Sequence, residues 1–249
     1  MSVITLLTDF GTTDGYVAEM KGVLLTSAPT VQLVDLSHDV APHDVEAARL
    51  AVARYWRRFP PGTIHLVVVD PGVGSDRQAI AVMSEGRFLV GPDNGVLSPA
   101  LLLPTARAVS LPVPPDAAPT FHGRDVFAPA AAALARGAPL DSLGQPLDEP
   151  VIRRTPEAVR EDDGWLRGEV IVIDRFGNAV TNLLGVHGDE VRIGSREIPL
   201  CRTYADVAAG EVVALVGSSG LIEIAVRDGN AAQTLGLSRG SVVRVRDAN

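Results

Sequence analysis

The sequence holds a single cysteine, Cys201, in 249 residues, so no internal disulfide can form and no thiolate metal cluster is available. Aromatic residues make up only 4% of it, and no apolar run reaches the roughly 18 to 20 residues that cross a bilayer. The opening "MSVITLLTDFG" lacks the basic start and long apolar stretch of a secretory signal. Together these absences point to a soluble, cytoplasmic chain with no membrane partner. The five histidines, His38, His43, His65, His122 and His187, show no paired ligand spacing, and no bound metal is expected. A formal net charge of −8 argues against nucleic acid and anionic membranes, which reward dense Lys and Arg, and suits a cationic ligand better.

What is present is ample apolar content, 46%, for a large core. The first part alternates strand and helix. Val3 to Leu7 reads as a strand, and the segment after it as a loop and a helix stopped by Pro29, with Val17, Met20, Val23 and Leu24 on one face. Val31 to Ser37 reads as a second strand, and Asp44 as the cap of a helix that turns Val45, Ala48 and Val52 inward. "TIHLVVVD" is too apolar for a half-exposed strand and predicts a central one covered on both faces. Two further strands, "AIAVMS" and "RFLVGPD", precede a small helix, and "DVFAPAAAALARG" reads as a helix with Asp125 as its N-cap and Gly137 as its stop. The expected fold is an α/β domain over residues 1–145, a mixed sheet with helices on both faces, followed by a proline-rich, charged linker over 146–164. Residues 165–249 are rich in Val and Ile between Gly, Asn and Ser turns, and predict a smaller all-β barrel or sandwich of five or six strands.

Polar residues gather where the sheet strands end: Asp9 after the first, Asp70 after the central one, Asp93 and Asn94 in "GPDNG". Open α/β sheets bind ligands at that edge, although Asp and Gly there serve equally as turn residues, and Asp9 and Asp14 as helix caps. The run "VVVDPGVGSDR" ends a buried strand in Asp70 and reaches Arg77 through two glycines. In "TFHGRDVFAPA", His122 stands just before a helix. Spacing alone leaves Asp70, Arg77 and His122 as separate residues. In the β region "IDRFGN" sets Asp174, Phe176 and Asn178 around a glycine, where a plain hairpin turn explains Gly177 and Asn178 as well. "VGSSG" and "RDGNAA" are small-residue loops of the kind that turns also use.

Taken in order, "TDFGTTDGYV", "DVEAARL", "VVVDPGVGSDR", "FHGRDVFAPAA", "IDRFGNAVTN" and "SSGLIEIAVRDGNAA" resemble the family of S-adenosyl-L-methionine (SAM) hydrolases, or SAM hydroxide adenosyltransferases, whose relatives include the SAM-dependent fluorinase and chlorinase. The resemblance covers nearly the whole chain. It implies SAM hydrolysis to adenosine and L-methionine, no cofactor or metal, and a homotrimer with SAM bound between the first domain of one subunit and the second domain of its neighbour. It further implies that Asp70, Arg77 and His122 act together on a water. Asp9 would hold the ribose hydroxyls, and Asp14, Asp174 and Ser218 would lie near the methionyl amino group. Phe121, Phe176 and Asn178 would line the adenine and ribose, the Ala231 backbone would read the adenine edge, Thr120 and Gly123 would flank His122 at the reacting carbon, and Ser219 and Glu223 would complete the substrate site. The halogenases carry tyrosine where this chain has Asp70, and the fluorinase carries serine and tryptophan where it has Gly123 and His43. The resemblance leaves two alternatives open, SAM-dependent halogenation and non-catalytic binding of SAM or adenosine.

Overall fold

The computed structural model describes residues 2–185 and 190–246, so His187 lies outside the described residues. It divides into two compact units, Met1–Arg154 and Thr155–Asn249.

The first unit runs β1 (Val3–Thr8), α1 (Tyr16–Ser27), β2 (Gln32–Ser37), α2 (Val45–Tyr55), β3 (Ile64–Val68), β4 (Ala79–Ser84), β5 (Arg87–Pro92), α3 (Ser98–Leu101), β6 (Arg107–Leu111), α4 (Ala128–Ala135) and β7 (Gln145–Pro146). Its sheet has the order β2-β1-β3-β5-β4-β6-β7. The first four strands of that order are parallel, and β4, β6 and β7 join them through antiparallel pairings. Every residue of β3 is buried, and its side chains alternate between two cores: Leu66 and Val68 enter the one built with α1 and α4, Val67 and, just past the strand, Val69 the one built with α2 and α3. This is the mixed sheet covered on both faces that the apolar run predicted.

Asp44 caps α2, accepting from the Ala47 N–H at 2.9 Å, and α1 starts at Gly15 in a left-handed conformation with no side-chain cap, so neither Asp9 nor Asp14 is spent there. Asp125 does not cap the alanine-rich helix as expected. The chain turns helical already at Gly123, through a π turn over Gly123–Phe127, and the Asp125 carboxylate inside that turn accepts from the upstream Ala118 N–H and from Arg124.

His65 sits fully buried in β3 between Tyr55 and Phe59, with ring centroids 5.4 and 5.6 Å away. Its Nε2–H donates to the Trp56 carbonyl at 3.1 Å, which leaves Nδ1 to accept from the Thr5 hydroxyl at 2.8 Å. Burial lowers the pKa of this imidazole from 6.5 to about 4. Between those values the unfolded chain binds a proton that the folded chain does not, so the stability that His65 contributes is present above pH 6.5 and drains away towards pH 4, by about 3 kcal/mol in all. Urea titrations at pH 7 and pH 4.5 should show a larger loss of stability on acidification in the wild type than in His65→Gln; equal losses would rule this source out.

The second unit runs β8 (Val159–Arg160), β9 (Trp165–Ile173), β10 (Ala179–Leu184), β11 (Glu190–Ile193), β12 (Arg196–Cys201), β13 (Val212–Val216), β14 (Leu221–Val226), α5 (Ala231–Leu235) and β15 (Val242–Arg246). Following the pairings from β9 through β10, β14, β13, β12, β11 and β15 leads back to β9, which closes a barrel of seven strands rather than the five or six expected. The long β9 makes closure possible: residues 165–169 pair with β15, while β8 and then β10 occupy its other edge in succession. Val170, Leu183, Val191, Ile224, Val243 and Val245 fill the interior.

Candidate active site

The loop after β3 folds back on itself. The Asp70 carbonyl accepts from Val73 N–H at 3.2 Å, the Gly72 carbonyl accepts from the Ser75 N–H at 3.1 Å and from its hydroxyl at 2.6 Å, and Ser75 Oγ accepts from Arg77 N–H at 3.3 Å. These turns bring Arg77 back over the residue that ended the strand. Gly74 has φ +76°, and a β-carbon there would lie 2.6 Å from the Pro119 carbonyl oxygen. Only glycine lets this loop seat against the segment that leads to His122.

The result is a compact buried cluster. Arg77 Nε donates to Asp70 Oδ1 at 3.0 Å and Nη2 to Asp70 Oδ2 at 2.5 Å, with the two side chains 7% and 5% exposed. Nη2 also lies 3.2 Å from His122 Nδ1, and the guanidinium carbon stands 5.5 Å from the Phe127 ring centroid. A guanidinium only donates, so Nδ1 of His122 must accept and the ring proton resides on Nε2. Burial lowers the His122 pKa, assisted by the Arg77 charge and opposed by Asp70 and Asp125. Burial likewise raises the Asp70 pKa, opposed by Arg77. The two bonds from Arg77 pair its guanidinium with an Asp70 carboxylate, and His122, accepting at Nδ1, is a neutral imidazole. Arg77 Nη1 is buried with no hydrogen-bond partner among the described residues.

The remaining first-unit candidates lie along the loops after β1 and before α4. Asp9 Oδ2 accepts from the His43 N–H at 2.8 Å, and His43 holds φ +67°. Asp14 and Thr120 are exposed. Phe121 is half-buried and packs edge-on to Phe10 and Tyr16, with centroids 5.9 and 5.4 Å apart, under the Arg124 guanidinium at 5.0 Å. Gly123 is buried; a β-carbon there would meet Met20 Sδ at 3.2 Å, Phe121 at 3.3 Å and Val68 at 3.4 Å. Phe10 and Tyr16 belong to this aromatic wall although sequence reasoning passed them over; in a chain so poor in aromatics, their flanking of "GTTDG" was the available signal. Asp93 and Asn94 hold strand ends together: Asp93 accepts from Val151 N–H at 2.8 Å, and Asn94 donates to the Val69 carbonyl at 2.9 Å.

The second unit gathers its own candidates. Asp174 Oδ1 accepts from the backbone N–H of Phe176 at 2.8 Å and of Asn178 at 2.9 Å, and Oδ2 accepts from the Asn178 side chain at 3.0 Å. Gly177, at φ +84°, has no room for a β-carbon against Asn230, which caps α5, and its carbonyl accepts from Ala232 N–H. That contact places the Asp174–Asn178 turn beside the buried Ala231. Phe176 is 75% exposed at the tip of the turn, whereas Asn178 and Glu223 are buried. Glu223 packs beneath Gly217, and Tyr204 Oη donates to its Oε2 at 3.4 Å. Burial, with Glu223 and Asp174 close by, raises the Tyr204 pKa, which makes Tyr204 another residue the sequence did not single out. Ser218 and Ser219 are exposed in the tight turn that Gly220 closes onto the Gly217 carbonyl. Among the described residues, no cluster of His, Cys, Asp or Glu is placed to hold a metal ion, and no helix is long and apolar enough to cross a membrane.

An α/β unit carrying a buried Asp–Arg–His cluster, followed by a small closed barrel, is the two-part architecture against which known proteins can be compared. Residues 4–144 match the SAM hydroxide adenosyltransferase N-terminal domain and residues 168–244 the SAM hydroxide adenosyltransferase C-terminal domain. The chain is 43% identical to the (R)-S-adenosyl-L-methionine hydrolase of Thermus thermophilus, over 98% of this chain and all of that one. It is 31% identical to the fluorinase of Nocardia brasiliensis, over 98% and 96% of the two chains. A crystal structure of a conserved protein from Thermotoga maritima superposes with a TM-score of 0.88 at 35% identity, covering 97% of this chain and 98% of that one. The chain belongs to the SAM hydroxide adenosyltransferase family.

Proposed function

We propose that this protein is a SAM hydrolase, in which a water attacks the ribose C5′ carbon opposite the sulfonium and releases adenosine and L-methionine. The observation that carries the reading is the buried Asp70–Arg77–His122 cluster. In the displacement the O–C5′ bond forms as the C5′–S bond breaks, and the bonding pair leaves on sulfur as a neutral thioether that needs no acid. The water's proton goes to a base. Asp70 is that base, its basicity raised by burial, while Arg77 fixes its geometry and the unpartnered Nη1–H offers a donor to the developing hydroxide. Neutral His122 presents its Nε2–H without adding a second positive charge near a sulfonium.

On this reading Asp9 holds the ribose hydroxyls, and Thr120 and Gly123 border the reacting carbon. Asp14, Asp174 and Ser218 serve the methionyl end, Phe121, Phe176, Asn178 and Ala231 the nucleoside, and Ser219 and Glu223 complete the substrate site. The chemistry requires no cofactor or metal. The acidic residues suit a cationic substrate, and a carboxylate at position 70 repels a halide in a low-dielectric site, which favours water over halide. We also assign the chain to the cytoplasm, because it has one unpaired cysteine, and to a homotrimer with sites shared between subunits.

The relative from Thermus thermophilus is named for the R configuration, which, with the methionyl α-carbon fixed as L, refers to the sulfonium centre. The test is therefore incubation with each sulfonium epimer, with and without chloride, resolved by chromatography. Equal amounts of adenosine and methionine, formed faster from the R epimer and independent of chloride, are expected. A main product of 5′-chloro-5′-deoxyadenosine would replace hydrolysis by halogenation, and tight binding without turnover would leave only a binding protein.

A further inference from the structure

We propose that His38 and Thr8 form a buried positioning pair that sets Asp9 for the nucleoside, a role that rests on the hydrolase reading of Asp9. His38 lies just after β2 and is 6% exposed; Thr8 ends β1 and is fully buried. His38 Nδ1 is 2.9 Å from Thr8 Oγ1, and Oγ1 accepts from the Phe10 N–H at 3.3 Å. Asp9 is thus the middle residue of a turn closed by the Thr8 hydroxyl. One residue further on, Gly11 N–H donates to the His38 carbonyl at 2.8 Å. His38 holds the β1 loop on both sides of Asp9, by its ring through Thr8 and by its backbone through Gly11. On the far side, Asp9 Oδ2 accepts from the His43 N–H, so the segment that follows His38 fixes the carboxylate as well.

The proton arrangement follows from the partners. His38 Nε2 faces Asp35 Oδ1 at 3.1 Å, off the line of a good hydrogen bond, and Asp35 is in turn paired with Lys21 at 2.6 Å. A carboxylate can only accept, so Nε2 carries a ring proton towards Asp35, and Nδ1 pairs with the Thr8 hydroxyl. Thr8 Oγ1 makes this bond to the ring and accepts a second from the Phe10 N–H. Holding the Thr8 hydroxyl between the ring and the Phe10 N–H is a reason for an imidazole to be buried here. The same turn sets Phe10, whose ring packs on Phe121 next to His122. The pair therefore tunes both the carboxylate at the ribose and the wall beside the reacting carbon, without touching either substrate bond that changes.

The test is a set of variants read by substrate kinetics, by calorimetric binding of adenosine, and by melting temperature. Thr8→Val keeps shape and removes the hydroxyl; His38→Leu removes the acceptor. Each should raise KM and the adenosine Kd by about tenfold, the net worth of one lost buried hydrogen bond, with kcat within about twofold. The double variant should be no worse than the worse single one, because the two residues make one interaction. Thr8→Ser and His38→Asn retain a hydroxyl and an acceptor, and should recover most of the affinity even where the melting temperature has fallen. Unchanged adenosine affinity in Thr8→Val, effects that multiply in the double variant, or a Thr8→Ser loss as large as that of Thr8→Val would each overturn the proposal. Asp9→Asn separates the two levels. If it weakens adenosine while Thr8→Val does not, Asp9 keeps its role and only the positioning pair fails; if it leaves adenosine binding unchanged, the ribose reading of Asp9 fails.

Discussion

Asp70→Asn should lower kcat by about 10²- to 10⁴-fold, the range that general-base assistance supplies, and leave KM for SAM within a few-fold. The amide matches the carboxylate in shape, so the loop from Asp70 to Arg77 can keep its turns, which are made by backbone atoms and Ser75. What disappears is the anionic oxygen pair that faces Arg77 Nε and Nη2. The water then has no base within the cluster, because neutral His122 has its Nδ1 tied to the guanidinium and a proton on Nε2. The wild-type pH profile gives a second check. Since burial raises the Asp70 pKa, kcat should decline on acidification at a pH above the ordinary carboxylate value of 3.8, and that acid limb should vanish from the residual rate of Asp70→Asn. A variant that retained wild-type kcat would remove Asp70 from the chemistry.

Arg77→Leu should be the most destabilising change in the first unit's site, by about 3 to 5 kcal/mol at pH 8, because it leaves a buried carboxylate without its partner. The penalty depends on Asp70 being charged. With the guanidinium gone, the influence that opposes desolvation is lost and the Asp70 pKa rises further above its unfolded value. The cost is then present above that raised pKa and fades as pH falls through it, when Asp70 takes up a proton. The melting-temperature difference between wild type and Arg77→Leu should accordingly be smaller at pH 5 than at pH 8, and the double variant Asp70→Asn/Arg77→Leu should be more stable at pH 8 than Arg77→Leu alone. Equal destabilisation at both pH values would mean that packing against Phe127, and not the ion pair, is what Arg77 supplies. Activity should fall with it, as the remaining carboxyl is protonated over more of the working range.

How far the sequence anticipated this site depended on how local each interaction is. Asp70 and Arg77 stand seven residues apart in one glycine-punctuated loop, so their pairing was within reach of the sequence; His122 lies 45 residues beyond Arg77, and only the seating of Gly74 against Pro119 brings it in. Family resemblance named that trio where spacing could not. The alternation of β3 side chains between two cores was legible because period and burial are both local, and the Asp44 cap for the same reason. Asp125 misled because a π turn shifted the helix start three residues upstream and turned its carboxylate towards Ala118. The number of barrel strands was undercounted because closure depends on β9 pairing with β15 on one edge and with β10 on the other, which no single segment announces. Tyr204 and His38 were missed because their roles arise from contacts across elements, and Phe10 and Tyr16, although they stand in the block "TDFGTTDGYV", because only their packing on Phe121 gives them a part in the site.

The central claim is that an activated water forms the new bond to C5′. Turnover of (R)-SAM in oxygen-18 water, followed by mass spectrometry of the products, tests it most directly. The account expects adenosine with the heavy oxygen at its 5′ position and methionine without it. Unlabelled adenosine, or label confined to any other product, would contradict it.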